Sequence, residues 1–323
     1  MTIHCDELLP SETHKPRASR GGLAWMLAGA LTLAGAIAAQ AAESGIRPGV
    51  LPDRWLLGGP NCVELPEFQI HEYNPDLYIL RQSGCSNDEK PFLYLLFGQN
   101  KALLLDTGAG KTSVARTVKT VIDHWLERNK KASIPLVVGH LHGHDDHTGG
   151  DPQFASAPDT TLIAPKADAV KAFFGFKVWP KEIVQYDLGG RVLDIIPIPG
   201  HDDNSIAIYD RQTGLLLTGD TLYPGRIYVN DTLAEFAASI ERLVDFTKDK
   251  PVTHILGTHV ENSRTPYKEY AIHTVYQPDE HVLELGRAHL LELQDAVKRM
   301  NGTLKPVSLR DFSVCGKYPT CER

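Results

Sequence analysis

His142-Gly143-His144-Asp145-Asp146-His147-Thr148-Gly149-Gly150 is the densest run of potential metal ligands in this chain of 323 residues. Residues two apart on an extended segment face the same side, so His142 and His144 can share one ion. Asp146 and His147 are adjacent on a segment that turns, which brings both toward a second ion. Gly149 and Gly150 are expected to let the chain turn sharply behind them. Imidazole and carboxylate are common zinc ligands, and the same donors accept manganese or iron.

Four ligands are too few for two metals, and three more follow later apolar runs. Pro199-Gly200-His201 follows residues 193–198, Thr218-Gly219-Asp220 follows 215–217, and Gly257-Thr258-His259 follows 253–256. A glycine one or two positions before each ligand predicts close approach of backbone and metal. These runs are short and apolar, as buried strands are, and 77–80, 92–97, 102–105, 134–139 and 206–209 read the same way. Residues 112–128 carry Val114, Val118, Val121, Ile122 and Trp125 at helical spacing, and 165–174, 233–247 and 280–300 also read as helices. Strands grouped at first and then interleaved with helices give an α/β protein. Loops at the ends of its strands set functional groups on a rigid base.

The composition, 42% hydrophobic and 23% charged, is that of an ordinary globular protein. A net charge of -7 gives no basic footprint for nucleic acid, so a small molecule is the expected partner. Residues 1–41 stand apart. Lys15, Arg17 and Arg20 precede an apolar run over 23–39 that ends in Ala39-Gln40-Ala41, the three parts of a secretory signal cleaved after Ala41. The run falls short of the ~20 residues that span a bilayer. An uncleaved anchor is the alternative, and only then is the membrane a partner. The expected location is the periplasm or outside the cell. A Pro- and Gly-rich extension over 42–75, a domain over 76–301 and a tail over 302–323 complete the division. Export leaves Cys62, Cys85, Cys315 and Cys321 in an oxidising compartment. Four cysteines allow three pairings. The local choice, Cys62–Cys85 with Cys315–Cys321, would staple the extension and the tail, and four free thiols are the alternative. None stands at metal-ligand spacing with another Cys or His.

In order and spacing, the H-x-H-x-D-H run and the three later ligands resemble the metallo-β-lactamase superfamily across residues 76–300. The resemblance implies a single αββα domain, two β-sheets flanked by helices, with the site at one edge. It implies His142, His144 and His201 on one metal, Asp146, His147 and His259 on the other, and Asp220 bridging them. Asp106 in Leu105-Asp106-Thr107-Gly108 matches the family's early aspartate, which orients the ligand loop. His140 is read as support for the ligands behind them. His124, His254, His273, His281 and His289 have no motif around them and read as structural.

Two divalent ions close together lower the pKa of a shared water, and the hydroxide so formed attacks an acyl or phosphoryl centre. The expected reaction is hydrolysis of a carboxylic ester, a lactone first and a thioester next, with Asp146 moving the proton. Asp220 weighs against a β-lactamase, since such enzymes of this fold place Cys or Ser near that position. An amide hydrolase of that kind stays as the alternative, beside a periplasmic metal-binding protein without catalysis. Tyr223 reads two ways. In the lactonases a tyrosine at this offset donates to the forming oxyanion, but here it can equally pack beneath the loop. Arg226, Tyr228 and residues 267–281 are further candidates to shape the pocket.

Overall fold

Strand β3 (Phe92–Phe97) is apolar at all six positions and buried on both faces. Phe92, Tyr94 and Leu96 point into the space between two sheets, whereas Leu93, Leu95 and Phe97 meet a helix. Side chains alternate along a strand, so a run with no polar position has to be covered twice. That requirement produces layers. In a computed structural model that describes residues 45–62 and 66–321, the order is helix, sheet, sheet, helix. The segment read as a signal lies outside the described residues. Among the described residues no helix is long and apolar enough to cross a membrane.

The first sheet runs in chain order through β1 (Phe68–Asn74), β2 (Leu77–Gln82), β3, β4 (Ala102–Leu105), β5 (Leu136–Gly139) and β6 (Thr160–Leu162). Helix α1 (Val114–Asn129) covers its outer face, and Trp125 stacks on Phe97 with centroids 4.6 Å apart. Two short helices, α2 (Asp145–Thr148) and α3 (Ala167–Phe174), flank β6 in sequence. The second sheet contains β7 (Val184–Asp187), β8 (Val192–Pro197), β9 (Ile206–Asp210), β10 (Leu215–Gly219), β12 (His254–Gly257) and β13 (Glu284–Leu285), with spatial order β13-β12-β10-β9-β8-β7. Helices α4 (Leu233–Thr247) and α5 (Arg287–Arg299) pack on its outer face through Phe236, Ile240, Leu243, Leu290 and Leu293. A third, small sheet joins β11 (Arg226–Tyr228), β15 (Ser313–Cys315) and β14 (Val307–Ser308).

Three expectations change. The helix read over 280–300 begins only at Arg287, because Glu284–Leu285 form β13, whose Leu285 pairs with Ile255, while Leu283 just before it packs in the core between the sheets. Gly286 separates this strand from the helix. The extension read as irregular to residue 75 contains β1, antiparallel to β2; as an edge strand with Gln69, His71 and Glu72 among its residues, it lacked the continuous apolar signature. The tail over 302–323 supplies β14 and β15, and β15 lies parallel to β11. Both local disulfides are formed, with Cα separations of 5.2 Å for Cys62–Cys85 and 4.7 Å for Cys315–Cys321.

A buried ion pair ties the two sheets together. Arg191, with 1% of its surface exposed, gives Nη2 to Asp210 Oδ2 at 2.6 Å and Nε to Oδ1 at 3.3 Å. Its Nη1 donates to the carbonyls of Asp76, in the turn before β2, and Phe97, at the end of β3, both in the first sheet's half. Removing one member of such a pair strands the other charge in the core. Arg191→Met is therefore expected to lower the unfolding free energy by about 3–5 kcal/mol in urea titrations. A loss below roughly 1 kcal/mol, the value of a surface pair, would mean the bridge is not needed.

Candidate metal centre

Strands β4, β5, β8, β10 and β12 end on the same edge, and each is followed by a residue of the site. Asp106 follows β4, the His142–His147 run follows β5, His201 follows β8, Asp220 ends β10's exit and His259 that of β12. The seven expected ligands are brought together in two groups. His142, His144 and His201 form one, and Asp146, His147, Asp220 and His259 the other, with the ligand atoms of each group within 4.8 Å of one another. His144 Nδ1 is 3.0 Å from His142 Nε2 and 3.1 Å from His201 Nε2. In the second group Asp146 Oδ2 is 3.0 Å from His147 Nε2 and 3.1 Å from His259 Nε2. Asp220 faces both. Its Oδ2 lies 3.9 Å from His142 and 3.7 Å from His201, while its Oδ1 lies 3.6 Å from His147 and 3.5 Å from His259.

The donor set fits a metal ion by its protonation. His201 Nδ1 donates to the Tyr228 carbonyl at 2.9 Å and His259 Nδ1 to the Glu89 carbonyl at 2.8 Å. A carbonyl only accepts, so the neutral tautomer keeps its proton on Nδ1 and turns the Nε2 lone pair inward. Nitrogen spacings of 3.0–3.1 Å in the first group are near the roughly 3.3 Å edge of a tetrahedron with Zn–N distances of about 2.0–2.1 Å. Burial, reinforced by neighbouring His147, holds His142 well below its ordinary pKa, and burial lowers His201 too. Both therefore stay neutral, the form that binds metal. Burial opposes a charge on His259 as well, but Asp220 and Asp146 beside it push it up to about 9. A cation entering the second group thus has to displace a proton.

Around the ligands the chain is fixed by Asp106, which sits in a left-handed conformation at φ 69° and is fully buried. Its Oδ1 accepts from the Leu141 amide at 2.9 Å and its Oδ2 lies 3.0 Å from His147 Nδ1. A β-carbon residue at that φ is strained, and the two contacts hold it there. His140 lies behind, its Nε2 3.3 Å from Asp151 and its Nδ1 3.9 Å from Asp106. The glycines act differently from the expectation. Gly150 has an ordinary backbone conformation, and a Cβ there would stand 2.4 Å from the Thr107 carbonyl, so it is needed for two loops to touch rather than for a turn. Gly200, at φ +137°, takes a conformation that favours glycine, and a Cβ would meet Phe236 of α4 at 2.6 Å. Neither glycine makes room for a metal.

Tyr223 is buried, and its hydroxyl donates to the Arg226 carbonyl and lies 3.2 Å from Glu261 Oε2. Its ring meets His259 edge-on at 5.7 Å. The two groups open into a cleft of ≈ 850 Å³. Arg226, Tyr228, residues 271–274 and Gln277 line it, as do Asp88, Glu89 and Lys90 before β3, Asp202, Asp231, Glu261, and Lys317 and Tyr318 from the tail. Most of these second contributors carry no motif in the sequence. Of the histidines read as structural, His281 and His289 share Asp311, and His273 pairs with Asp88 at the rim.

Residues 142–281 match the model of the metallo-beta-lactamase superfamily. The chain carries a metallo-β-lactamase superfamily domain. It is 29% identical over 197 residues to the hydroxyacylglutathione hydrolase of Aeromonas hydrophila, covering 60% of this chain and 68% of that one. It is 24% identical over 227 residues to an acyl-coenzyme A thioesterase of Bos taurus, covering 60% of this chain and 81% of the relative. A solved metallo-beta-lactamase from Pontibacter korlensis aligns with a TM-score of 0.46 at 16% identity, over 72% of this chain and 99% of that one. The protein is thus a superfamily hydrolase related to glyoxalase II and acyl-coenzyme A thioesterase. Members of this superfamily typically bind metal ions, and the two His/Asp groups are where this domain could hold them.

If Asp106 positions His147, Asp106→Ala will weaken metal binding about 10–100-fold, read as zinc retained against a competing chelator. Full occupancy at unchanged chelator concentration would make Asp106 a residue of loop folding alone.

Proposed function

We propose that this superfamily hydrolase is an exported enzyme that binds two divalent cations, zinc by its donors, and cleaves thioesters, with lactones as the second class. His142, His144 and His201 would hold one cation, and Asp146, His147 and His259 the other. The observation that carries the two-metal reading is Asp220, which turns one carboxylate oxygen toward each group. Two such cations, when bound, acidify a water and polarise an acyl oxygen.

The chain's own residues do the rest. Asp146 is the most exposed of the two ligand carboxylates and lines the cleft, so it can take the proton of the attacking water and return it to the leaving thiol or alcohol. Thr258 Oγ1 donates to Asp220 Oδ1 and fixes the carboxylate between the groups. Thioesters move ahead of lactones for two reasons. The relatives' names point to acyl-thiol substrates, and the Tyr223 hydroxyl is already engaged by Arg226 and Glu261 rather than free for an oxyanion. Export is supported by the two disulfides, which persist in oxidising compartments.

Purified protein should contain two metal ions per chain and turn over a neutral thioester faster than a lactone, with nitrocefin slowest. Asp220→Ala should cost more than the roughly 10–100-fold expected from losing an outer hydrogen-bond partner; full turnover in that variant sinks the two-metal reading. Tyr223→Phe is expected to keep kcat/KM within about two-fold while losing about 1 kcal/mol of stability, the worth of one buried hydrogen bond. A drop in kcat with stability intact would instead give the hydroxyl a catalytic role.

A further inference from the structure

The Cys315–Cys321 disulfide closes a short loop that brings Lys317 and Tyr318 into the lining of the cleft. Tyr318 is anchored there. Its amide donates to Asn230 Oδ1 at 3.0 Å, and its ring meets that of Tyr228 edge-on at 5.2 Å. Half of its surface, 50%, is nevertheless open. Among the large apolar side chains exposed in the described residues, Tyr318 and Ile272 are the two that line this cleft. Apolar surface held rigidly inside a concave site is surface for a ligand to cover.

Two independent features narrow what that ligand is. Tyr228, 6% exposed and part of the lining, keeps a buried hydroxyl with no hydrogen-bond partner among the described residues. Its ring, and not its hydroxyl, is what meets Tyr318, so this wall offers aromatic surface beside Tyr318. Away from the two cations, the carboxylates of the walls disfavour an anionic handle. Besides the two ligand carboxylates, Asp88, Glu89, Asp145, Asp202, Asp231 and Glu261 line the cleft. Against them Arg226 is held by Glu261 and Glu269, and Lys90 gives its ammonium to the carbonyls of Asp88 and Thr274. His273 pairs with Asp88, which leaves Lys317, on the exposed loop, as the one unengaged lysine or arginine among the described residues of the lining.

We propose that the disulfide-closed loop is the selecting wall of the site: Tyr318, with Ile272, packs against an uncharged, apolar acyl chain of the substrate. The proposal rests on the ester-hydrolysis reading above, and it deepens that reading to a substrate class. Binding energy from a remote, non-reacting chain is then gained on this wall.

The test uses the metal-loaded protein and N-acetylcysteamine thioesters from acetyl to octanoyl, with the succinyl thioester as the anionic counterpart of butyryl. Wild type should gain up to about four-fold in kcat/KM per added methylene, chiefly through KM. Tyr318→Ala should flatten that rise, Tyr318→Phe should retain it, and the double variant Cys315→Ser/Cys321→Ser should flatten it as Tyr318→Ala does. The succinyl thioester should be turned over less well than the butyryl one. An unchanged rise in Tyr318→Ala, or a preference for succinyl, overturns the wall. A parallel titration of N-methyl alkanamides, which are not cleaved, followed by NMR separates the two readings. If no thioester is hydrolysed but amide affinity grows with chain length and loses that growth in Tyr318→Ala, the wall stands and the hydrolysis reading falls. Amide affinity independent of chain length in wild type sinks the wall itself.

Discussion

Seven imidazole and carboxylate groups point at one another across gaps of 3.0–3.9 Å, in a pocket that covers most of their surface. Such a gathering is unfavourable unless positive charge lies among it, and protons on the second group meet that need only in part. Everything around the centre works to hold the groups in this arrangement. Asp106 grips His147 and the Leu141 amide from one side. Main-chain carbonyls of Tyr228 and Glu89 hold the outer nitrogens of His201 and His259. Thr258 holds Asp220. The two sheets provide the common edge from which all of these loops leave.

Much of this was legible in the sequence, and for a physical reason. Strands buried on both faces leave unbroken apolar runs such as Phe92–Phe97, and ligands directly after such runs share one edge of a sheet. The histidines and aspartates of the site were thus visible with their strands. Of the supporting shell, Asp106 and His140 could be named, but the rest could not. Glu89 and Tyr228 serve their histidines through carbonyl oxygens, which every residue has, so no side chain marks them. The hydroxyl of Tyr223 could be named but not aimed. Its direction depends on Glu261 and Arg226, which come close only through folding.

The errors at the ends of elements have a similar origin. Leu283 and Leu285 could belong to a helix or a strand, since a two-residue segment is too short for either period to declare itself. Edge strand β1 interleaves Gln69, His71 and Glu72 with its apolar residues, and so looked like loop. Elements buried on one side or shared between sheets carry weaker signals than central strands, even where they matter to the site.

The short parallel pair β11–β15 carries a consequence for the order in which the chain is made. Tyr228, whose carbonyl orients His201, ends β11, and it pairs with Cys315 on a strand that is translated some ninety residues later. His142, His144 and His147 are delivered long before that partner arrives. During synthesis all seven ligands are therefore made before β15, and His201 first lacks the backing strand that steadies its support. A lesion in residues 313–315, remote from every ligand in the chain, would reach the centre through one backbone carbonyl.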